Sequence, residues 1–261
     1  MSVLEAEGLS IRFGGLQAAH DVTIRAQELE IVGIIGPNGA GKTTTFNMIT
    51  GFYTPDSGRV RYRGRDITDM KVHQRTALGI GRTFQNVGLV KGSTVRENLL
   101  TAQHLLARYG VAGGIVGSPA SADDERTLRR RADALLEVLG LTHLADTRVA
   151  GLPYGDLKRV EIATVLATDP DLLLLDEPSS GMGPEEAHRL GDTLLDLRRE
   201  FGLTIVMIEH HVPLVVRVCD YVYCLSFGEV LAEGLPDEVR HHPEVVVAYL
   251  GEEAAEEEVA L

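Results

Sequence analysis

The stretch GPNGAGKTT, residues 36–44, has the composition and spacing of a loop that holds phosphate groups. Glycines at 36 and 41 precede Lys42 and Thr43, which completes the pattern GxxxxGK(S/T) directly after an apolar run. In that pattern the loop amides surround phosphates, the lysine reaches the β- and γ-phosphates, and the next hydroxyl binds Mg²⁺. A glycine-rich turn with an ordinary surface lysine fits the strand–loop–helix setting poorly. The predicted phosphate loop consists of Gly36, Pro37, Asn38, Gly39, Ala40, Gly41, Lys42, Thr43 and Thr44.

Two adjacent carboxylates, Asp176 and Glu177, directly follow a run of four leucines. Taken alone, such a pair could simply cap a turn. Beside a phosphate loop the chemical interpretation is favoured, because ligands of open α/β sheets collect at the carboxyl ends of the strands. We therefore expect Asp176 to hold Mg²⁺ through water and Glu177 to orient and polarise an attacking water.

His210 ends a third apolar run, LTIVMIEH at 203–210. A lone histidine is more often structural than catalytic, but the other two apolar runs both end in candidate site residues. We therefore include His210 among the candidate catalytic residues. A zinc site is not predicted, because His210 and His211 have no Cys or His partner at ligand spacing.

The elements that must position these residues follow from the hydrophobic pattern. The runs at 28–35, 171–178 and 203–210 are nearly continuous, which is typical of strands buried on both faces of a parallel sheet. Partly alternating runs indicate small antiparallel strands. These runs are Val3–Ser10, His20–Arg25 and Arg59–Tyr62. Helical patterns follow each continuous run, so the sequence predicts an α/β core with a small antiparallel part.

Residues 95–168 show a mostly helical pattern, and we predict a helical subdomain inserted into the core at 86–168. One helix has an apolar stripe, formed by Leu128, Ala132, Leu135, Leu136 and Leu139. The arginine run 129–131 beside it could bind phosphate, but a solvated helix face is the preferred interpretation.

Composition limits the possible functions. A chain of 261 residues with 44% hydrophobic residues has enough material for one large α/β body. The net charge of −13 argues against binding to a nucleic-acid backbone, although five glutamates in an acidic tail, residues 252–261, supply part of it. Cys219 and Cys224 have no metal or redox spacing and are expected to pack in a reducing compartment. No apolar run approaches the length of a spanning helix, so we expect a cytoplasmic protein.

With these residues in order, the chain resembles the ATPase subunits of ABC transporters over nearly its whole length. The similarity is carried by the phosphate loop, GRTFQ ending at Gln85, LPYGD at 152–156, LLLLDEP ending at Pro178 and IEH ending at His210. Within that family it is most similar to the ATPase components of branched-chain amino-acid importers. The motifs specific to that branch are RFGGL (12–16), NMITGFYTPDSG (47–58), RTFQNV (82–87), ENLLTAQH (97–104) and AYLGE (248–252).

The resemblance implies a P-loop NTPase core of RecA type with a small antiparallel β subdomain and an inserted helical subdomain. The expected boundaries are 1–85 with 169–251 for the ATP-binding core and 86–168 for the helical subdomain. It also implies hydrolysis of ATP with Mg²⁺, coupled to uptake of branched-chain amino acids or related small polar solutes.

Further roles come only from the resemblance. Phe13 corresponds to an aromatic that stacks on adenine, although a core phenylalanine is an equal alternative. Gln85 would bind Mg²⁺ or the attacking water and couple the site to the helical subdomain, and His210 would be catalytic. Leu152, Pro153, Tyr154, Gly155 and Asp156, here called the signature segment, stand where the family has LSGGQ. That segment would face the γ-phosphate of ATP held by the other subunit of a dimer.

Two departures of the signature segment from the family pattern bear on anion binding. Pro153 replaces the usual serine and brings neither hydroxyl nor N–H, and Tyr154 replaces a glycine. Gly155 and the helix dipole remain, so anion binding should be weakened rather than lost. Gly183 replaces a residue that is usually acidic or an amide. This change puts in question the communication between the two ATP sites of a dimer, each of which would combine residues of both subunits.

The partners implied are a second ATPase subunit, membrane permease subunits and, indirectly, a solute-binding protein outside the membrane, with no nucleic acid. A heterodimer is expected and a homodimer is possible. The chain would then be peripheral on the inner face of the membrane. The segment 85–95, here called the docking segment, groups Val87, Leu89 and Val90 between glycines and could contact the permease or pack under the helical subdomain.

Two other classes of protein share some of these features. An ABC-type ATPase of DNA repair should have long coiled-coil arms and a basic surface, which the sequence lacks. A non-hydrolysing nucleotide-binding regulatory module would be expected to lose its carboxylate base, whereas Glu177 is present.

Overall fold

The computed structural model describes residues 2–83, 88–103 and 119–249. Contacts between residues divide the chain into two compact units. The first contains 1–82, 171–180 and 184–261, and the second contains 83–170 and 181–183. Within the described ranges, no helix combines the length and apolarity needed to cross a membrane.

The described residues of the first unit form ten strands. In chain order they are β1 (Ser2–Phe13), β2 (Leu16–Gln27), β3 (Ile31–Ile35), β4 (Ser57–Tyr62), β5 (Arg65–Asp66), β6 (Ile80–Arg82), β7 (Leu172–Asp176), β8 (Thr204–Ile208), β9 (Tyr221–Ser226) and β10 (Glu229–Gly234). They form a four-stranded sheet in the order β2-β1-β4-β5 and a six-stranded sheet in the order β10-β9-β3-β8-β7-β6.

The six-stranded sheet carries the candidate site. Strand β3 pairs in parallel with β8 and β9, β7 pairs in parallel with β8 and β6, and only the β9–β10 pair is antiparallel. All five residues in each of β3, β7 and β8 are buried, as their continuous apolar sequences predict. The phosphate loop and the Asp176–Glu177 pair therefore follow strands that belong to one parallel set.

The four-stranded sheet is antiparallel throughout and begins with the long hairpin of β1 and β2. Its buried side chains join one apolar cluster with residues of the parallel strands and of the helix after the phosphate loop. The cluster includes fully buried residues of β2, of that helix and of β8, namely Val22, Ile24, Phe46, Met48 and Val206. This continuous packing fixes the phosphate loop's helix against both sheets.

Helices of the first unit follow the strands. They are α1 (Lys42–Thr50), α2 (Val72–Thr76), α6 (Pro184–Phe201), α7 (Val212–Val218) and α8 (Pro236–Arg240), with a last helical segment at 243–249. The second unit contains α3 (Val95–Ala102), α4 (Pro119–Val138), a 3₁₀ turn (Thr142–Leu144) and α5 (Tyr154–Leu166). Its apolar stripe at 128–139 is buried as predicted, and the arginines at 129–131 are exposed.

Arg75 caps the C-terminal end of α1, the helix that follows the phosphate loop. Its guanidinium is 1% exposed and donates to four backbone carbonyls, including those of Met48 and Ile49 in the last turn of α1. The carbonyls at a helix C-terminus have no partner within the helix, so a buried cation is a favourable cap. Burial lowers the pKa of Arg75 to about 10, which keeps it charged at neutral pH.

Both cysteines are buried free thiols, which fits the expectation that they pack in the interior. Burial raises the pKa of Cys224 to about 11 and that of Cys219 well above its usual range. Because the thiolate is the reactive form, we expect native protein at pH 7 to gain no mass from N-ethylmaleimide and denatured protein to gain two adducts. Rapid labelling of the native chain, measured by mass spectrometry, would contradict this burial.

Candidate functional site

The phosphate loop connects β3 to α1 through backbone conformations that favour glycine. Gly36 has φ +142°, and a Cβ atom there would lie 2.1 Å from the carbonyl oxygen of Leu225. Gly41 caps α1 in the left-handed region, so the first helical residues are Lys42, Thr43 and Thr44. The start of a helix directs backbone amides and the positive end of its dipole toward the loop, which favours the binding of an anion there.

Lys42 lies folded over its own loop. The side chain is 8% exposed, and Nζ donates to the carbonyl oxygens of Gly36 at 2.6 Å and Pro37 at 2.8 Å. The ammonium is therefore held above the loop by acceptors that a phosphate oxygen can replace. Asn38 and Gly39 are exposed on the same loop, whereas Ala40 is buried.

Tyr249 contacts the start of the phosphate loop from the far end of the chain. Its hydroxyl accepts a hydrogen bond from the Gly36 amide at 2.8 Å. In the sequence, AYLGE is only a mark of resemblance, and no role was predicted for Tyr249. A contact across more than two hundred residues leaves no local pattern that could have revealed it.

Asp176 is buried at the end of β7 and contacts Arg82 at the end of β6. The Arg82 Nη2 atom lies 3.0 Å from Asp176 Oδ2, and the two side chains are 9% and 1% exposed. Arg82 also donates to Asn47 and Thr50 of α1 at 2.8 and 2.7 Å. One guanidinium thus connects the carboxylate to the helix that follows the phosphate loop, a function that the motif RTFQ did not predict.

Glu177, the next residue, has φ +49°, which is unusual for a residue with a side chain. Its amide donates to the carbonyl of Ile208 at 3.0 Å, so the turn after β7 is tied to the end of β8. The side chain is half-buried. Strained backbone of this kind is found at functional sites, where the surrounding structure holds it in place.

His210 is exposed just beyond β8, next to the buried Glu209. Its amide donates to Glu209 Oε2 at 3.1 Å. Because β3, β8 and β7 are adjacent and parallel, their carboxyl ends share one edge of the sheet. That edge brings together the phosphate loop, Asp176, Glu177 and His210 within the first unit. Glu209 belongs to the same edge and was missed by sequence reasoning, which treated IEH as leading only to its histidine.

Phe13 ends β1 and is 44% exposed, which excludes the fully buried core alternative. Its ring meets that of Tyr53 edge to face, with centroids 5.1 Å apart. Gln85 and Val87 lie outside the described residues. Of the rest of the docking segment, Leu89 is half-buried and Val90 is 53% exposed.

The signature segment lies in the second unit, where α5 begins at Tyr154 after Pro153 at the N-cap. Pro153 supplies no side-chain cap, and Asp156 pairs with Arg159 within the first turns. Leu152, Gly155 and Asp156 are half-buried, and Pro153 is exposed.

Tyr154 packs against Gly181 in the same unit. A Cβ atom at Gly181 would lie 2.9 Å from the ring's Cε1 atom. The tyrosine ring therefore packs directly against the Gly181 backbone, where a side chain would leave it no room. Lys158, 3% exposed, places its ammonium 5.9 Å from the ring centroid and 3.6 Å from Glu161. These contacts hold Tyr154 in place, although the residue is still 45% exposed.

Comparisons with known proteins agree with this geometry. A family model described as ABC transporter matches residues 19–180, and another, described as branched-chain amino acid ATP-binding cassette transporter, matches 229–255. The high-affinity branched-chain amino acid transport ATP-binding protein LivG of Salmonella typhimurium is 42% identical over 96% of this chain and 98% of its own length.

Two solved structures extend the comparison. An ATP-binding cassette of an ABC transporter in its ADP conformation has a TM-score of 0.84 and 34% identity over 96% of this chain and 99% of that one. A dimeric post-hydrolysis state of an ATP-binding cassette bound to ADP and Pi has a TM-score of 0.75 and 25% identity, covering 89% and 98% of the two chains. The chain belongs to the ABC transporter family, as a member of its ATP-binding proteins.

Proposed function

We propose that this chain is the ATP-hydrolysing subunit of an ABC importer that drives uptake of branched-chain amino acids or related small polar solutes through permease partners. The observation that carries the proposal is the single sheet edge that holds a complete phosphate loop beside Asp176, Glu177 and His210. The solute class rests on similarity to LivG, which is named for branched-chain amino acid transport.

The phosphate loop binds the phosphates of ATP through its amides and Lys42. In the structure the Lys42 ammonium donates to two loop carbonyls, and phosphate oxygens take over as its acceptors when nucleotide enters. Phe13 stacks on the adenine ring with Tyr53 as its edge-to-face neighbour.

Glu177 orients the attacking water. Its carboxylate accepts a hydrogen bond from that water and then its proton. The water oxygen forms a bond to the γ-phosphorus while the bond from that phosphorus to the β,γ-bridging oxygen breaks, and ADP leaves with the electron pair. His210, on the neighbouring strand end, contacts the same phosphoryl group. The tie between the Glu177 amide and Ile208 keeps these two strand ends in register.

The residues present fit a Mg²⁺ ion bound together with nucleotide. Thr43 and Asp176 offer hard oxygen donors, and Gln85 is proposed as a third. The described part of the chain has no group of three His, Cys, Asp or Glu side chains suited to a metal. Mg²⁺ commonly binds through one or two protein oxygens plus phosphates and waters, so this set suits a nucleotide-bound ion, which would neutralise phosphate charge.

The signature segment would act on the ATP of a second subunit. The start of α5 presents backbone amides, with Gly155 among its first residues, and a helix N-terminus attracts anions. Because Pro153 brings no hydroxyl, we expect a γ-phosphate contact weaker by one charged hydrogen bond, about 1.5–3 kcal/mol or ten- to a hundredfold in affinity.

The proposed roles of the docking segment and the signature segment imply the partners. Permease subunits would receive the docking segment, and they would hold the chain at the inner face of the membrane. A heterodimer with a companion ATPase is proposed, because a companion with an unaltered signature would complete this chain's own site.

Steady-state ATPase assays on the purified protein, alone and assembled with its permease, test the proposed function. We expect Mg²⁺-dependent phosphate release that rises on assembly and again when the solute-binding protein delivers leucine. Nucleotide binding without any turnover, in the free chain and in the complex, would favour a regulatory module instead.

The heterodimer makes a separate prediction in the reconstituted transporter. Glu-to-Gln at Glu177 should reduce ATPase activity more than the same change at the companion's equivalent glutamate, because only this chain's site meets the unaltered signature. Equal losses from the two variants, or full transport by a complex containing this ATPase alone, would overturn the heterodimer.

A further inference from the structure

Glu209 is a fully buried carboxylate at the end of β8 to which the proposed reaction gives no role. Its exposure is 0%, and both oxygens accept hydrogen bonds from backbone amides. Oε1 accepts from Ser179 at 2.8 Å, and Oε2 accepts from His210 at 3.1 Å and His211 at 3.3 Å. Such bonds compensate the cost of removing an acidic side chain from water.

The amides that Glu209 binds lie on two different strand ends. Ser179 belongs to the turn after β7, two residues beyond Glu177, whereas His210 and His211 follow β8. The Glu209 amide itself donates to Ile34 of β3 at 3.2 Å, just before the phosphate loop. Glu209 thus lies where the ends of the three parallel strands meet.

We propose that Glu209 is a positioning residue that fixes the turn carrying Glu177 relative to His210. This inference rests on the proposed function. The left-handed backbone of Glu177 is disfavoured for a residue with a side chain, so contacts elsewhere must hold the turn. The hydrogen bond from the Ser179 amide to Glu209 is such a contact, and the same carboxylate also accepts from the His210 amide.

A carboxylate suits this place because both oxygens face donors. Glutamine has nearly the same shape, but its amide group would present N–H to one of the two sets of backbone N–H groups. Glu209→Gln therefore releases one strand end while leaving the packing volume unchanged. A displacement of about 1 Å at a reacting group can cost on the order of a hundredfold in rate.

The test compares kcat, KM for ATP and thermal stability in the purified full-length wild type and Glu209→Gln. We expect kcat to fall by about ten- to a hundredfold with KM changed less than about threefold, since the phosphate loop itself is untouched. A rise in KM at unchanged kcat, or full activity, would overturn the inference. If Glu209→Gln does not fold, Glu209→Asp keeps the charge with a shorter reach and should show the same split.

A double-mutant cycle with His210→Ala separates positioning from a general structural role. If Glu209 acts by placing His210 relative to Glu177, the loss of kcat from Glu209→Gln should shrink to about twofold when His210 is already absent. If the two losses of kcat multiply in the double variant, that role is contradicted. The change in thermal stability should be the same in both backgrounds.

Asp220→Asn is the matched control. Asp220 also accepts a backbone amide of the sheet, that of Ile31 at 2.8 Å, but at the opposite end of β3. The Asp220→Asn variant should lower thermal stability without lowering kcat. A loss of kcat equal to that of Glu209→Gln would refute a special role for Glu209. A wild type with no ATPase activity would instead reject the proposed function.

Discussion

Glu177→Gln should reduce ATP turnover by roughly 10²–10⁴-fold, the usual cost of removing a positioned base. ATP binding should persist, because the phosphate loop and Lys42 are unchanged and the new side chain keeps the same size. The measurement pairs single-turnover hydrolysis with equilibrium binding of a fluorescent ATP analogue. Retained binding is essential, since it distinguishes lost chemistry from a lost site.

The matched control for this variant is Glu28→Gln. Glu28 is exposed near the opposite end of β3 and undergoes the same chemical change. Its turnover should match that of the wild type. Near-normal hydrolysis by Glu177→Gln would show that another group orients the attacking water.

Arg82→Met should lower the free energy of unfolding by about 3–5 kcal/mol, the range seen when one partner of a buried ion pair is removed. The variant removes the guanidinium that contacts Asp176, whose side chain is 1% exposed. It also removes the donors to Asn47 and Thr50 and the cation near the rings of Phe46 and Phe52. Urea unfolding of the purified protein measures the loss.

Two further variants sharpen the Arg82 prediction. Asp176→Asn combined with Arg82→Met should recover part of the stability, because the buried negative charge is gone. Arg61→Met is the surface control, since Arg61 and Glu7 pair at 2.7 Å with about a third of each side chain exposed. Its loss should stay below about 1 kcal/mol, and a loss equal to that of Arg82→Met would contradict the importance of burial.

The parallel strands could be predicted from sequence because each is a continuous apolar run. Strands β3, β7 and β8 lie within the predicted ranges. Strands β1 and β2 extend beyond theirs at both ends, whereas β4 begins two residues earlier than predicted and ends at the predicted Tyr62. Strands β5 and β6 were not predicted, since two or three residues give no periodic signal and such short strands are defined by their neighbours in the sheet. Strands β9 and β10, with six residues each, were not recognised either.

The residues of the candidate site likewise include some that the sequence marks and others that it does not. Motif residues such as Lys42 and Glu177 could be named as candidates from sequence because local spacing marks them, and the structure places them at the ends of parallel strands of one sheet. The partners that hold them were not, because Arg82, Glu209 and Tyr249 reach their contacts across distant parts of the chain. The resemblance marked Tyr154 as a departure, whereas the structure supplies its physical reason in the bare backbone of Gly181.

ATP hydrolysis at this chain's phosphate loop should drive solute uptake. The most direct measurement is uptake of radiolabelled leucine into proteoliposomes that contain the full transporter, its solute-binding protein and this ATPase. We expect ATP-dependent uptake that stops when Glu177→Gln replaces the wild-type chain or a non-hydrolysable ATP analogue replaces ATP. Uptake that continues undiminished under either condition would contradict the account.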